Sequence, residues 1–176
     1  PGLEPLRARW ECARHMPWLI HLSLSGGPPP VRPHMDPNHW SDTIVENARK
    51  NYINAEIGSD EMVRMYPDVY IATAFTCPGI HACPDVFDYR RVREARASSQ
   101  PVDIWTSDYA MNPNCQEDSP KDMVFLFESK PGWNRHGGPE LFTFDNHDPR
   151  GGCVLLNDGT VQFIRNDQEL NALRRS

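Results

Sequence analysis

The sequence predicts a single α+β domain, and three observations carry that reading. Apolar residues recur at helical spacing in the first half, strand-like runs alternate with turn residues in the second, and 17 prolines with 11 glycines keep the elements short. With 176 residues, 39% of them apolar, the chain can bury one modest core rather than two.

Residues 1–38 read as an irregular, proline-rich arm, and residues 39–176 as the α+β domain itself. In the arm, Leu6, Trp10, Ala13 and Met16 give one short amphipathic helix that Pro17 should end or kink. Residues 26–37 hold Gly-Gly, Pro-Pro-Pro and two further prolines, which favours extended polyproline geometry. Beyond the arm, Ser41 or Asp42 can cap a helix over about 41–53, with Trp40, Ile44, Val45, Ala48 and Tyr52 on one face. A shorter helix follows a cap at Ser59 or Asp60, carries Met62, Val63 and Met65, and stops at Pro67. Residues 69–77 are β-branched and aromatic enough for a strand, and residues 85–97 suit a charged helix with Val86, Tyr89 and Val92 inward.

Five runs in the second half then predict an antiparallel sheet: residues 102–105, 122–127, 140–144, 152–156 and 160–164. The last two flank Asp158-Gly159, a strong hairpin signal, and this hairpin is expected at the centre of the sheet. Asp167 should cap a terminal helix whose Leu170 and Leu173 face the sheet.

A net charge of −6 and a pI near 5.6 oppose nucleic-acid or anionic-membrane binding, because both partners present a dense negative field. The longest apolar stretch, residues 16–24, is interrupted by Pro17 and His21 and is under half of the roughly 20 residues a bilayer span needs. No signal peptide is legible at the start of the chain. Five cysteines, Cys12, Cys77, Cys83, Cys115 and Cys153, are an odd number, and Cys77 and Cys83 flank a turn-forming Pro78-Gly79-Ile80 stretch that makes them the disulfide candidate of an exported protein.

Four segments, in order, carry a resemblance: Phe75-Thr76-Cys77-Pro78, residues 107–112 (Ser-Asp-Tyr-Ala-Met-Asn), residues 124–129 (Val-Phe-Leu-Phe-Glu-Ser), and the stretch from Phe144 to Phe163 with His147, Gly151, Gly152, Asp158 and Gly159. Together they resemble the head domain of planctomycete-type pseudopilin-related proteins, whose C-terminal motif is a His, a spacer of nine residues and Asp-Gly. The spacer between His147 and Asp158 is ten residues here. The resemblance implies a pilin-like head in which the motif residues specify architecture. It also implies a non-catalytic role in a secretion-type or envelope assembly, periplasmic or at the cell surface, with other protein subunits as partners. Independently of any family, an Asp-Gly turn fixes a hairpin, and a histidine at the strand entry can pin the adjoining loop through a backbone carbonyl or amide.

Several residue sets suit specific chemistry. Asp145, Asn146, Asp148, Asn157 and Asp158 offer the oxygens that calcium takes, provided the two loops around the last hairpin lie at the same end of the sheet, and pseudopilins resembling this chain can carry such a loop calcium. No other cofactor is expected beyond a zinc alternative that recruits Cys77, His81 and Cys83, with Cys115. A hydrolase would need His136 or His147 beside Glu140, Asp145 or Asp148, with Ser129 as nucleophile. A ligand- or cargo-binding module would need an apolar groove of Trp105, Trp133 and Phe142. Trp133 and Arg135, in the glycine-rich loop 132–138, are of the types enriched at interfaces, set against a tryptophan that merely covers the sheet edge. Trp10 and Trp18 either dock on a neighbour or fold back along the sheet.

Overall fold

A four-stranded antiparallel sheet organises the chain, its strands lying in sequence order: β1 (Ser107–Met111), β2 (Val124–Gly132), β3 (Gly152–Leu156) and β4 (Val161–Ile164). This is a computed structural model, and it describes residues 16–19, 21–22, 34–54, 67–77 and 105–176. Every residue of β1 and β3 is buried, so side chains on both faces of the sheet must be covered.

One face is covered by helices. The side chain of Asp36 caps a 3₁₀ turn, Pro37–His39, by accepting from the Asn38 amide at 2.9 Å, and the turn runs directly into α1 (Trp40–Asn54). The cap is therefore Asp36, whereas Ser41 and Asp42, the expected caps, lie inside the first turn. Their backbone amides are met instead by a tertiary partner, Asn134 Oδ1, at 2.8 and 3.4 Å. Trp40, Ile44, Val45 and Ala48 form the buried stripe of α1 and join Tyr109, Met111, Phe125, Leu126 and Leu155 of the sheet in the main core.

The segment expected as a strand over 69–77 is a helix, α2 (Pro67–Ala74). Its β-branched content is outweighed by a proline at the first helical position and Asp68 in the first turn, both of which favour a helix start. Ile71, Ala74 and Phe75 are fully buried at i, i+3 and i+4, the helical period that a short apolar run conceals. Residues 16–19 and 21–22 are also helical, with Pro17 in helical backbone, while Leu6, Trp10 and Ala13 of the expected amphipathic helix lie outside the described residues. Met16, Leu19, Leu22 and Met35 enter the main core, so the stretch expected to be an arm contributes packing. The helices expected after Ser59 or Asp60 and over 85–97 lie outside the described residues.

The second face is closed by the C-terminal part. Ala110, Val124, Phe127, Val154, Leu156 and Ile164 pack with Leu170 of α3 (Asp167–Asn171), and Leu173, Leu141, Phe142 and Phe144 complete this smaller core. The cap of α3 is Asn166, not Asp167: its side chain accepts from the Glu169 amide at 2.9 Å while Glu169 reaches back to the Arg165 amide at 2.8 Å.

Three strand expectations change. Trp105 precedes β1, which begins at Ser107, and residues 102–104 lie outside the described residues. Residues 140–144 hold no strand: a 3₁₀ turn, Pro139–Leu141, and one isolated bridge from Phe142 to Ser129 occupy that stretch, where Gly137-Gly138-Pro139 breaks regular pairing. The β3–β4 hairpin sits at the sheet margin, with β4 as edge strand and β2 and β3 central. No helix among the described residues is long and apolar enough to cross a membrane.

Gly159 closes the hairpin with φ +87°, a left-handed conformation that side chains adopt only with strain, although a Cβ there would meet nothing within 4 Å. Gly159→Ala should therefore lower stability by about 1–2 kcal/mol through the backbone alone, read as a fall in the urea midpoint with an unchanged m-value.

Candidate functional site

Glu128 is an acidic residue inside an otherwise apolar, fully buried section of β2, and its carboxylate must find its partners within the protein. Three segments supply them. Oε2 accepts from the Cys153 amide at 2.6 Å, at the start of β3. Oε1 accepts from the Cys77 thiol, just beyond α2. His147, in the loop before β3, places Nε2 at 3.0 Å from Oε1 and 3.1 Å from Oε2. The His147 and Glu128 side chains are 1% and 0% exposed.

Local structure explains the convergence. β1 carries a register shift between Ser107 and Tyr109, and the intervening Asp108 turns its carboxylate to accept from the Cys77 amide at 2.8 Å. Asp108 N also donates to the Phe75 carbonyl at 2.9 Å, so two bonds fix the Cys77 segment against the strand. His147 meets the ring of Phe163 edge-on, with centroids 5.4 Å apart. Gly152 allows the close approach on the other side, since a Cβ there would lie 2.6 Å from the Thr143 carbonyl, 2.7 Å from the Phe142 ring and 3.1 Å from Glu128 Oε2. A Cβ at Gly151 would strike the ring of Phe163 and lie 2.8 Å from the Ile164 carbonyl.

Burial alone would depress the imidazole's proton affinity. It is overcome by the hydrogen bonds that His147 makes with Cys153, Cys77 and Glu128 and by the Glu128 charge, and the balance holds the His147 pKa well above its ordinary value. The pair is thus an imidazolium donating from Nε2 to a carboxylate, while Nδ1 has no hydrogen-bond partner among the described residues. The expectation that His147 pins its loop through a backbone group is corrected: its imidazole Nε2 meets the Glu128 carboxylate and the Cys77 sulfur, because β2 turns a carboxylate into the space it occupies.

Other candidate residues are dispersed. Asp145 is exposed and pairs with Arg150 at 3.2 Å, Asp148 is exposed, and Asn146 is buried, all before β3. Asn157 and Asp158 lie beyond the opposite end of that strand, where Asn157 donates to the Ser119 carbonyl at 2.7 Å and Asp158 accepts from the Thr160 amide at 2.9 Å. The two halves of the calcium set are therefore separated by five residues of extended chain, roughly 17 Å. Of the zinc alternative, His81 and Cys83 lie outside the described residues, as does the Cys77–Cys83 pairing, and the Cys115 sulfur faces the Gln116 carbonyl at 3.9 Å.

His136 is exposed and faces the Asn134 carbonyl at 3.1 Å, Ser129 donates to the Lys130 carbonyl at 3.0 Å, and Glu140 accepts from the Gly138 amide at 2.8 Å, so the hydrolase set does not assemble. Trp133 is half-buried between Phe75 and Trp105, with centroids 5.0 and 5.6 Å away, and its indole donates to Asp42 at 2.8 Å. Arg135 lies over Gly132, donates to the Lys130 carbonyl at 2.9 Å, and offers its own carbonyl to the Trp40 indole at 2.9 Å. Trp105 and Trp133 line a groove with Asp42, Val45, Glu46 and Arg49, whereas Phe142 packs with the smaller core on the opposite face. Trp18 packs against the main core, and Trp10 lies outside the described residues.

Glu128 and Cys153 were not among the expected site residues. The legible signal was the lone carboxylate within Val-Phe-Leu-Phe-Glu-Ser, which a buried strand can hold only with a partner. No family model, no curated protein and no solved structure matches the chain.

Two outcomes follow. Glu128→Ala should cost about 3–5 kcal/mol by stranding a buried imidazolium, and a double-mutant cycle with His147→Ala, read by urea unfolding, should show coupling of about 1–3 kcal/mol. The His147 pKa is raised above its ordinary 6.5, so this group's contribution to stability is full below pH 6.5 and declines as pH rises towards the folded-state value. Urea midpoints of chelator-treated protein should therefore fall more steeply from pH 6.5 to alkaline pH than those of His147→Gln.

Proposed function

We propose that the domain is a non-catalytic, pseudopilin-like head that works as an assembly or scaffolding subunit of a secretion-type or envelope structure, periplasmic or at the cell surface. The single observation that carries this reading is the burial of the motif histidine, 1% exposed, against a carboxylate that is 0% exposed. A general base must reach its substrate, and a sealed imidazolium already committed to a carboxylate serves architecture instead.

The remaining motif segments support the same reading. Asn112 donates to the Val124 and Arg175 carbonyls at 2.8 and 3.1 Å, tying the end of β1 to β2 and to the C-terminus. Val124–Ser129 forms the buried part of β2, and Gly152–Ile164 forms the hairpin. Each segment builds the sheet, and the proposed role is to present its surfaces to other subunits. A second reading, cargo or ligand binding, is favoured by the groove between α1 and the Trp105–Trp133 pair, over which Arg49 lies 5.4 Å from the Trp105 ring.

A photo-crosslinking residue at exposed Glu46, on the groove rim, tests both readings in cells that make the protein. Crosslinked adducts with other envelope proteins in the envelope fraction are the expected outcome. Adducts confined to a small molecule would favour the second reading, and a soluble cytosolic monomer without adducts would overturn the first.

A further inference from the structure

We infer that Cys77, Glu128 and His147 form a structural metal site whose preferred ion is Zn²⁺. One ligand atom from each, a sulfur, a carboxylate oxygen and an imidazole nitrogen, lies within 4.8 Å of the others, and all three residues are buried. Around a tetrahedral ion with bonds of about 2.0–2.3 Å, neighbouring ligand atoms stand about 3.3–3.8 Å apart. Cys77 Sγ and His147 Nε2 are already 3.6 Å apart, and Nε2 stands 3.0 Å from Glu128 Oε1. Small outward movements of three side chains would admit the ion.

Charge accounting favours the exchange. Without metal the cluster holds a thiol, an imidazolium and a carboxylate, with zero net charge. A divalent ion displaces two protons, one from Sγ and one from Nε2. What remains is a thiolate, a neutral imidazole, a carboxylate and M²⁺, again of zero net charge, so loading adds no net charge to the buried site. It also improves the position of Nδ1, whose N–H finds no partner among the described residues. An unpartnered N–H costs less on a neutral ring than on a cation.

Donor type selects the ion. Calcium and magnesium take oxygen, whereas mixed sulfur, nitrogen and oxygen donors suit zinc. The Cys153 thiol also interacts with the His147 imidazole; in the fourth position it would release a third proton, take the site from zero charge to −1 and close it to substrate. Outer contacts hold the ligands in place: Asp108 on the Cys77 amide at 2.8 Å, and the Cys153 amide on Glu128 Oε2 at 2.6 Å. The ligands come from positions 77, 128 and 147, so an ion would tie the α2 end, β2 and the loop before β3 together and contribute to folding.

The test is a Co²⁺ titration of the full chain, prepared metal-free and checked for folding by circular dichroism. One ion per chain should bind and produce a thiolate-to-cobalt charge-transfer band that Zn²⁺ abolishes by displacement, and Zn²⁺ should raise the melting temperature. Cys77→Ser should weaken and shift the band and weaken binding at least roughly tenfold, while Cys115→Ser, buried in the same core but outside the cluster, should behave as the unsubstituted chain. Should Cys77→Ser not fold, alkylation of the unsubstituted chain read by peptide mass decides instead, because Zn²⁺ should slow labelling of Cys77 and not of Cys115. A folded chain with no charge-transfer band and no Zn²⁺-dependent melting shift, or binding and protection that do not involve Cys77, would overturn the inference.

Discussion

A carboxylate sealed inside a sheet must be surrounded by donors, and Glu128 imposes that requirement on this fold. Its two oxygens draw the end of α2, the loop before β3 and the Cys153 amide of β3 towards one point on β2. Residues 77, 128 and 147 are far apart in sequence, so the interaction aligns parts of the chain that local propensity leaves independent. The geometry also explains why bulk is excluded at Gly152, where a side chain would take the space between the Thr143 carbonyl and the carboxylate. A pair of this kind contributes little net stability compared with an apolar replacement, yet it penalises arrangements that separate its members.

Around that point the sheet is buried on both sides, which is unusual for a small antiparallel sheet and determines what the rest of the chain does. Helical residues 16–19 and 21–22, α1 and α2 cover one face, and α3 with the 139–144 segment covers the other. The loop 132–138 joins the helical layer to the sheet. Asn134 accepts from the first amides of α1, the Arg135 carbonyl accepts from the Trp40 indole, and Trp133 donates to Asp42. A stretch that reads as a glycine-rich surface loop is thereby a capping device for a helix more than 90 residues earlier. The same contacts leave Trp133 only partly covered beside Trp105, and so create the groove along α1.

Much of the local structure was legible. The apolar stripe of α1, the Asp-Gly hairpin and the leucines of α3 are short-range patterns whose periodicity or turn chemistry is self-contained. The failures share a cause. Residues 69–77 read equally as strand or helix because a short apolar run has no discriminating period, and the choice fell to Pro67 and Asp68. Residues 140–144 are strand-like in composition, but β2 has already paired with β1 and β3, so that segment gains one bridge and no ladder.

For the candidate site, His147 and Cys77 stood out by residue type, whereas Glu128 and Cys153 did not, and no spacing rule joins positions 77, 128, 147 and 153. By itself the sequence determined an α+β chain, its turn at Asp158-Gly159, and a net negative charge, since these depend on composition and near-neighbour sterics. The tertiary structure alone decided that an imidazole, a carboxylate and a thiol share one dry volume. The reason is that desolvation and ion pairing act between atoms close in space, and that proximity comes from strand register, a shift at Asp108 and a missing side chain at Gly152.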